Sequence, residues 1–179
     1  MSKHTLSVLV DDTPGALTRV TALFSRRGFN IDSLAVGVTE HPETSRITLV
    51  VESGRGSVTQ ICAQLGKLVD VLEVFELGPG SAVERELVLV KVRTGNETRS
   101  QVAEIVQLFR AKIVDVSPEA VTVEATGSGD KLSAMLRMLE PYGIEELVQS
   151  GTIAIGRGTP STAGRAVPSF GPVPWRATA

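Results

Sequence analysis

The sequence predicts an α+β protein in which one βαββαβ order of strands and helices occurs twice in tandem. Three observations carry that expectation. Short apolar strand-like runs alternate with apolar stripes at helical spacing, the order recurs after GPGS at 78–81, and the pattern ends near Arg157. With 179 residues, 42% of them hydrophobic, the chain has enough apolar material for two small cores.

Residues 4–10 alternate as a strand, and Leu17, Val20, Leu23 and Phe24 form one face of a helix that Gly28 can end. Residues 31–38 and 46–52 read as two strands around the loop TEHPET. A second helix carries Val58, Ile61, Cys62, Leu65 and Leu68, and residues 71–77 supply a fourth strand. This is the ferredoxin-like order, in which two helices cover one face of a four-stranded antiparallel sheet.

After GPGS the order returns with little similarity letter by letter. Residues 86–92 are strand-like, and Val102, Ile105, Val106 and Phe109 make a helical stripe. Residues 112–116 and 120–124 flank the turn SPE, and Leu132, Met135, Leu136 and Leu139 form another stripe. Residues 146–155 are expected to close the unit as one strand kinked at Ser150-Gly151. The expected organisation is two ferredoxin-like modules, 1–79 and 84–156, followed by a disordered tail, 157–179. The tail is rich in Gly, Pro, Ser, Thr and Ala, lacks acidic residues and holds the only tryptophan, Trp175, whose emission should be that of an exposed ring.

Composition excludes several functions. A net charge of -2 from 18 basic and 20 acidic residues offers no general attraction to nucleic acid or membrane. An RNA-binding sheet of this topology needs stacking aromatics, and aromatics are only 4% of this chain. No apolar run reaches membrane-spanning length and MSKHTLSV lacks a secretory core, so cytoplasmic residence is expected. Cys62 is the only cysteine and sits in a helical apolar stripe, which marks a structural thiol. His4 and His41 have no ligand-spaced partners, so no metal site is expected. Neither a nucleophile motif nor a nucleotide-binding glycine pattern occurs, and no catalytic residue is assigned.

The stretch DDTPGAL at 11–17 stands out. Thr13 can cap a helix with its hydroxyl, and Pro14 suits a first helical position. Ala16 stands where a capping box would place Glu or Gln, so free N–H groups near Gly15 could meet an anion. A free α-amino acid fits such an opening: its carboxylate at Gly15 and Ala16, its ammonium at Asp12 or the Asn30 oxygen, an aliphatic side chain between Leu17 and Ile31. Within one βαββαβ unit these two groups lie at opposite ends of the first helix, but they can meet across a two-fold dimer. Pro-Gly after a strand also serves as a plain tight turn, and Asn30 also serves as a backbone-angle residue; the residues alone leave both readings open.

With D-x-P-G-A-L followed by LFSRRGFNIDSL, the chain resembles the ACT-domain family of amino-acid sensors. More closely it resembles the family of small regulatory subunits of acetolactate synthase (acetohydroxyacid synthase). SRRGFNIDSLAVG, QLGKLVDVLEVFEL, VERELVLVKV, QLFRAKIVDVSPEAVTVEATG and QSGTIAIGRG match that family in order, across about residues 4–158. The resemblance implies an ACT domain in the first module that forms a homodimer and binds a branched-chain amino acid, usually valine, with leucine and isoleucine as the other candidates. Asp12, Pro14, Gly15, Ala16 and Leu17 match the family's ligand loop, and Asn30 and Ile31 its contacts on the second strand. Many relatives carry Asn where this chain has Asp12, which bears on ligand preference.

The resemblance further implies a large catalytic partner carrying thiamine diphosphate, Mg2+ and FAD. This chain itself would hold no cofactor, have no turnover alone, activate the partner and confer inhibition by valine. A stand-alone tandem ACT sensor controlling transcription explains the first module equally well but leaves the second-half motifs without a role. A small ferredoxin-like hydrolase would need a nucleophile or an Arg-Asn pair in a phosphate-binding loop, and the sequence offers neither. The loop TGNETRS of the second module has no Pro-Gly opening.

Overall fold

The computed structural model describes residues 2–78 and 80–158. They fall into two compact units, one running to Val83 and joined by the segment that begins at Thr152, the other Glu84–Gly151.

In the first unit the elements are β1 (Ser2–Asp11), α1 (Ala16–Arg27), β2 (Ile31–Val38), β3 (Thr44–Ser53), α2 (Arg55–Leu65) and β4 (Val71–Leu77). The sheet order is β2-β3-β1-β4 with antiparallel neighbours, the ferredoxin-like arrangement expected from the sequence. Period-2 alternation sends Leu6, Val8 and Val10 of β1 to one face, beside Ile47, Leu49 and Val51 of β3. The stripes of α1 and α2 close over that face through Val20, Leu23, Phe24, Val58, Ile61 and Leu65. Phe24 is 1% exposed, so its truncation to alanine is worth about 3–5 kcal/mol. Cys62 is half-buried against this core, and burial pushes its thiol pKa up, away from the reactive thiolate.

The second unit repeats the plan with β5 (Ala82–Arg93, its first residues in the first unit), α3 (Arg99–Leu108), β6 (Lys112–Val116), β7 (Ala120–Gly127), α4 (Gly129–Leu139), a 3-10 turn (Glu140–Tyr142) and β8 (Ile144–Gln149). Its order, β6-β7-β5-β8, is that of the first sheet. Val88, Val90 and Val92 of β5 pack with Val102, Val106, Leu132, Met135 and Leu139.

One expected strand is two. Residues 146–155 divide at Ser150-Gly151, where Gly151 takes φ 78, into β8 and a separate β9 (Ile153–Gly156) that belongs with the first unit. Thr152 N donates to Ser33 Oγ at 2.6 Å, and Ala154 packs with Leu77, Ala82 and Phe75. Arg157 holds the end, its backbone N donating to Ser81 O at 2.8 Å and its Nε to Ala82 O at 3.0 Å. Pairing places Ser33, Val50, Thr5 and Leu77 in one row on the face opposite the helices. β9 therefore lies on that second face. Its own alternation fits: Thr152 and Ala154 are 7% and 4% exposed, whereas Ile153 and Ile155 point outward. The expected tail falls, beyond Gly158, outside the described residues, as does Trp175.

Candidate functional site

The Pro14-Gly15 turn connects β1 to α1. Ala16 N donates to Thr13 O at 3.2 Å, and Gly15 has φ 91, ψ -8, the third-position geometry of a type II turn that Pro14 at the second position favours. Thr13 is therefore not the helix cap and Pro14 is not the first helical residue: the N-cap is Gly15, with no side-chain cap bond. Gly15 has no side chain and so no capping oxygen, which leaves the helix start open. The amides of Gly15, Leu17 and Thr18 have no acceptor among the described residues. The Ala16 amide closes the turn and its side chain is buried in the core, so Ala16 shapes the turn. Asp12, Pro14 and Leu17 are exposed around it, and Asp12 forms no ion pair among the described residues.

Two neighbours of the turn were not visible in the sequence. Arg19, one helical turn beyond Gly15, forks onto Asp70, with Nε on Oδ2 and Nη2 on Oδ1 at 2.7 Å. Asp70 lies just before β4, and its backbone oxygen accepts the Asp11 amide at 2.9 Å. The hydrogen bonds from Arg19 hold the Asp70 carboxyl below its ordinary pKa, and the Thr13 side chain adds to the same effect. A Cβ on Gly15 would meet Arg19 Nη1 at 3.1 Å. The turn is thus backed by a guanidinium already committed to a carboxylate. Only the β1–β4 pairing brings these residues together, and nothing in local spacing signals a contact between positions 51 apart.

Asn30 and Ile31 stand beyond the other end of α1. Gly28, at φ 68, closes the helix with its own amide on Ser25 O at 3.2 Å and the Phe29 amide on Phe24 O at 3.1 Å. The chain then enters β2. Asn30 Nδ2 donates to Asp32 Oδ1 at 2.9 Å, which leaves its side-chain oxygen without a donor among the described residues. Ile31 is half-buried against the core. A helix of 12 residues spans roughly 18 Å, so within the chain Asn30 is not brought to Gly15. The structure gathers Asp12, Pro14, Gly15, Ala16 and Leu17 in one turn and holds Asn30 and Ile31 apart from it.

The chemistry available is recognition: amide donors, one free carboxylate, one free amide oxygen and aliphatic surface. Among the described residues no group of three or more His, Cys, Asp or Glu is placed to hold a metal ion, and no helix is long and apolar enough to cross a membrane. The corresponding loop of the second unit is built differently. Thr98 Oγ1 accepts the Gly95 amide at 3.0 Å, and the Thr94 amide donates to Glu119 O at 2.8 Å, with no Pro-Gly turn.

Comparison with known proteins agrees along most of the chain. Residues 6–73 match the family described as AHAS small subunit-like ACT domain, and residues 85–158 match the small subunit of acetolactate synthase. The acetolactate synthase small subunit of Mycolicibacterium smegmatis is 56% identical over 155 residues, 87% of this chain and 91% of that protein. A probable small subunit from Archaeoglobus fulgidus is 47% identical over 156 residues, 87% of this chain and 98% of that protein. The crystal structure of the small subunit from Thermotoga maritima superposes with a TM-score of 0.83 at 38% identity, covering 89% of this chain and all of that one. With both halves matched in order and at this identity, the chain belongs to the acetolactate synthase small subunit family.

Proposed function

We propose that this chain is the regulatory subunit of a cytoplasmic acetolactate synthase, activating a large catalytic subunit and making it sensitive to valine in branched-chain amino acid biosynthesis. The chain forms a homodimer. The Asp12–Leu17 turn of one protomer faces Asn30 and Ile31 of the partner subunit, and a branched-chain amino acid binds between them.

The observation that carries the effector site is the uncapped start of α1: a left-handed Gly15 followed by amides with no acceptor among the described residues. A carboxylate there accepts hydrogen bonds at the positive end of the helix dipole. The ammonium lies between the Asp12 carboxylate and the Asn30 oxygen of the partner subunit, and the aliphatic side chain between Leu17 and Ile31. Thiamine diphosphate, Mg2+ and FAD reside on the catalytic subunit, and this chain has no turnover by itself. Inhibition follows if the effector binds one state of the complex more tightly, a coupling of typically about 1–3 kcal/mol.

A stand-alone sensor of transcription would not call for residues 85–158 to match a synthase small subunit. The test is calorimetric titration of valine, leucine and isoleucine into the purified chain, with mass by light scattering, followed by assay with the catalytic subunit. Saturable binding at no more than one ligand per chain by a dimer, with activation and valine inhibition of the reconstituted enzyme, is expected. A dimer that binds none of the three, alone or with the catalytic subunit, removes the effector site.

A further inference from the structure

The helical layer of the first unit contains a groove of about 610 Å3 between the carboxy-terminal halves of α1 and α2. Its apolar lining is Leu23, Phe29 and Leu68, and its charged lining is Arg26, Arg27 and Lys67 with no carboxylate among them. Arg27 Nη2 donates to Gln64 Oε1 at 2.9 Å, which aims one guanidinium along the rim. None of the three cations forms an ion pair among the described residues. Two helix ends account for part of this charge, since cations are favoured at helix C-termini. Each end carries the equivalent of only about -0.5, so three full positive charges leave the groove at roughly +2.

We infer that this groove receives an acidic segment of the catalytic subunit, one that places aliphatic or aromatic side chains on Leu23, Phe29 and Leu68 and carboxylates on Arg26, Arg27 and Lys67. Charge decides the occupant. The chain's own residues 159–179 hold Arg165 and Arg176 and no acidic residue, so they have the wrong sign for it. A groove of mixed apolar floor and basic rim suits a polypeptide, which brings both chemistries along one backbone, with Gln60 available to its amides.

The inference rests on the regulatory reading above and adds a route for it. Phe29 lines the groove and Asn30, the next residue, is assigned to the effector site; the Gly28 turn fixes both. A partner segment pressing on Phe29 and an effector holding Asn30 therefore bias the same short stretch of backbone.

The experiment compares wild type, Arg26→Glu/Lys67→Glu and the control Lys112→Glu, an exposed charge on the second unit's edge strand. Each is titrated against the catalytic subunit at low and moderate salt, and valine binding to each isolated chain is measured by calorimetry. The double variant should need at least about tenfold more protein for half-maximal activation and lose the salt dependence shown by wild type, with valine binding retained. Lys112→Glu should activate like wild type. Equal half-saturation for the double variant and wild type overturns the groove assignment and leaves the regulatory reading standing, as does equal weakening by the control. Failure of wild type to bind the catalytic subunit overturns both.

Discussion

The Arg19 guanidinium grips both oxygens of Asp70 directly against the Pro14-Gly15 turn, so the first turn of α1 is hydrogen-bonded to the residue before β4. A fork of this kind resists rotation in a way a single contact does not. Through it the proposed carboxylate site is tied to a sheet strand as well as to its own helix.

This pair makes a pH prediction. Asp70 is held below its ordinary value by Arg19, so the stability it contributes is fully present above about pH 4 and is lost as pH falls through the depressed native value. Thermal midpoints of wild type and Asp70→Asn should differ at pH 6 and converge as the buffer is taken well below pH 4. A constant gap across that range would show that the carboxylate charge is not what Arg19 holds.

Gly15→Asp places a side chain at φ 91 and a negative charge beside the open amides. Valine inhibition of the reconstituted enzyme should be lost while activation survives, at a stability cost of about 1 kcal/mol from the left-handed backbone. Gly15→Ala shares the strain without the charge and should retain more valine affinity than Gly15→Asp. If both bind valine like wild type, the turn is not the carboxylate site.

Asn30→Ala removes the free amide oxygen together with the bond to Asp32. Affinity for valine should fall on the order of tenfold, the value of one hydrogen bond to a charged group. The melting temperature and dimer mass of the ligand-free protein should stay near wild type. A loss of the dimer instead would show that Asn30 acts on the effector only by holding the two subunits together.

Ser33→Ala takes away the acceptor of the Thr152 amide that fastens β9 across the sheet. Hydrogen exchange at 152–156 should speed up while β1 stays protected, with a global loss of about 1 kcal/mol. Unchanged exchange would mean that Ala154 and the Arg157 bonds hold the segment without Ser33.

Local chemistry made much of the molecule legible. Helical spacing of Leu17, Val20, Leu23 and Phe24 announced α1, although Leu17 proved 39% exposed at the edge of the stripe, and Gly28 ended the helix in the left-handed geometry expected of it. The turn at Gly15 was conspicuous because Pro-Gly demands a special backbone, but the same letters fit two phases. Counting Thr13 as a cap and Pro14 as the first helical residue starts the helix two residues early, and only the Ala16-to-Thr13 hydrogen bond shows a complete type II turn before it.

The sequence by itself determined the two βαββαβ orders, though not the separate β9, and the identity of the open turn, because strand and helix periods and Pro-Gly geometry act over a few neighbouring residues. The tertiary structure alone decided that Arg19 meets Asp70, that residues 152–156 leave the second unit to cover the first sheet, and that Arg26, Arg27 and Lys67 converge around an apolar floor. Each of these contacts depends on pairing or packing between distant positions. Sequence periodicity names the face a residue occupies and is silent on which distant residue will face it.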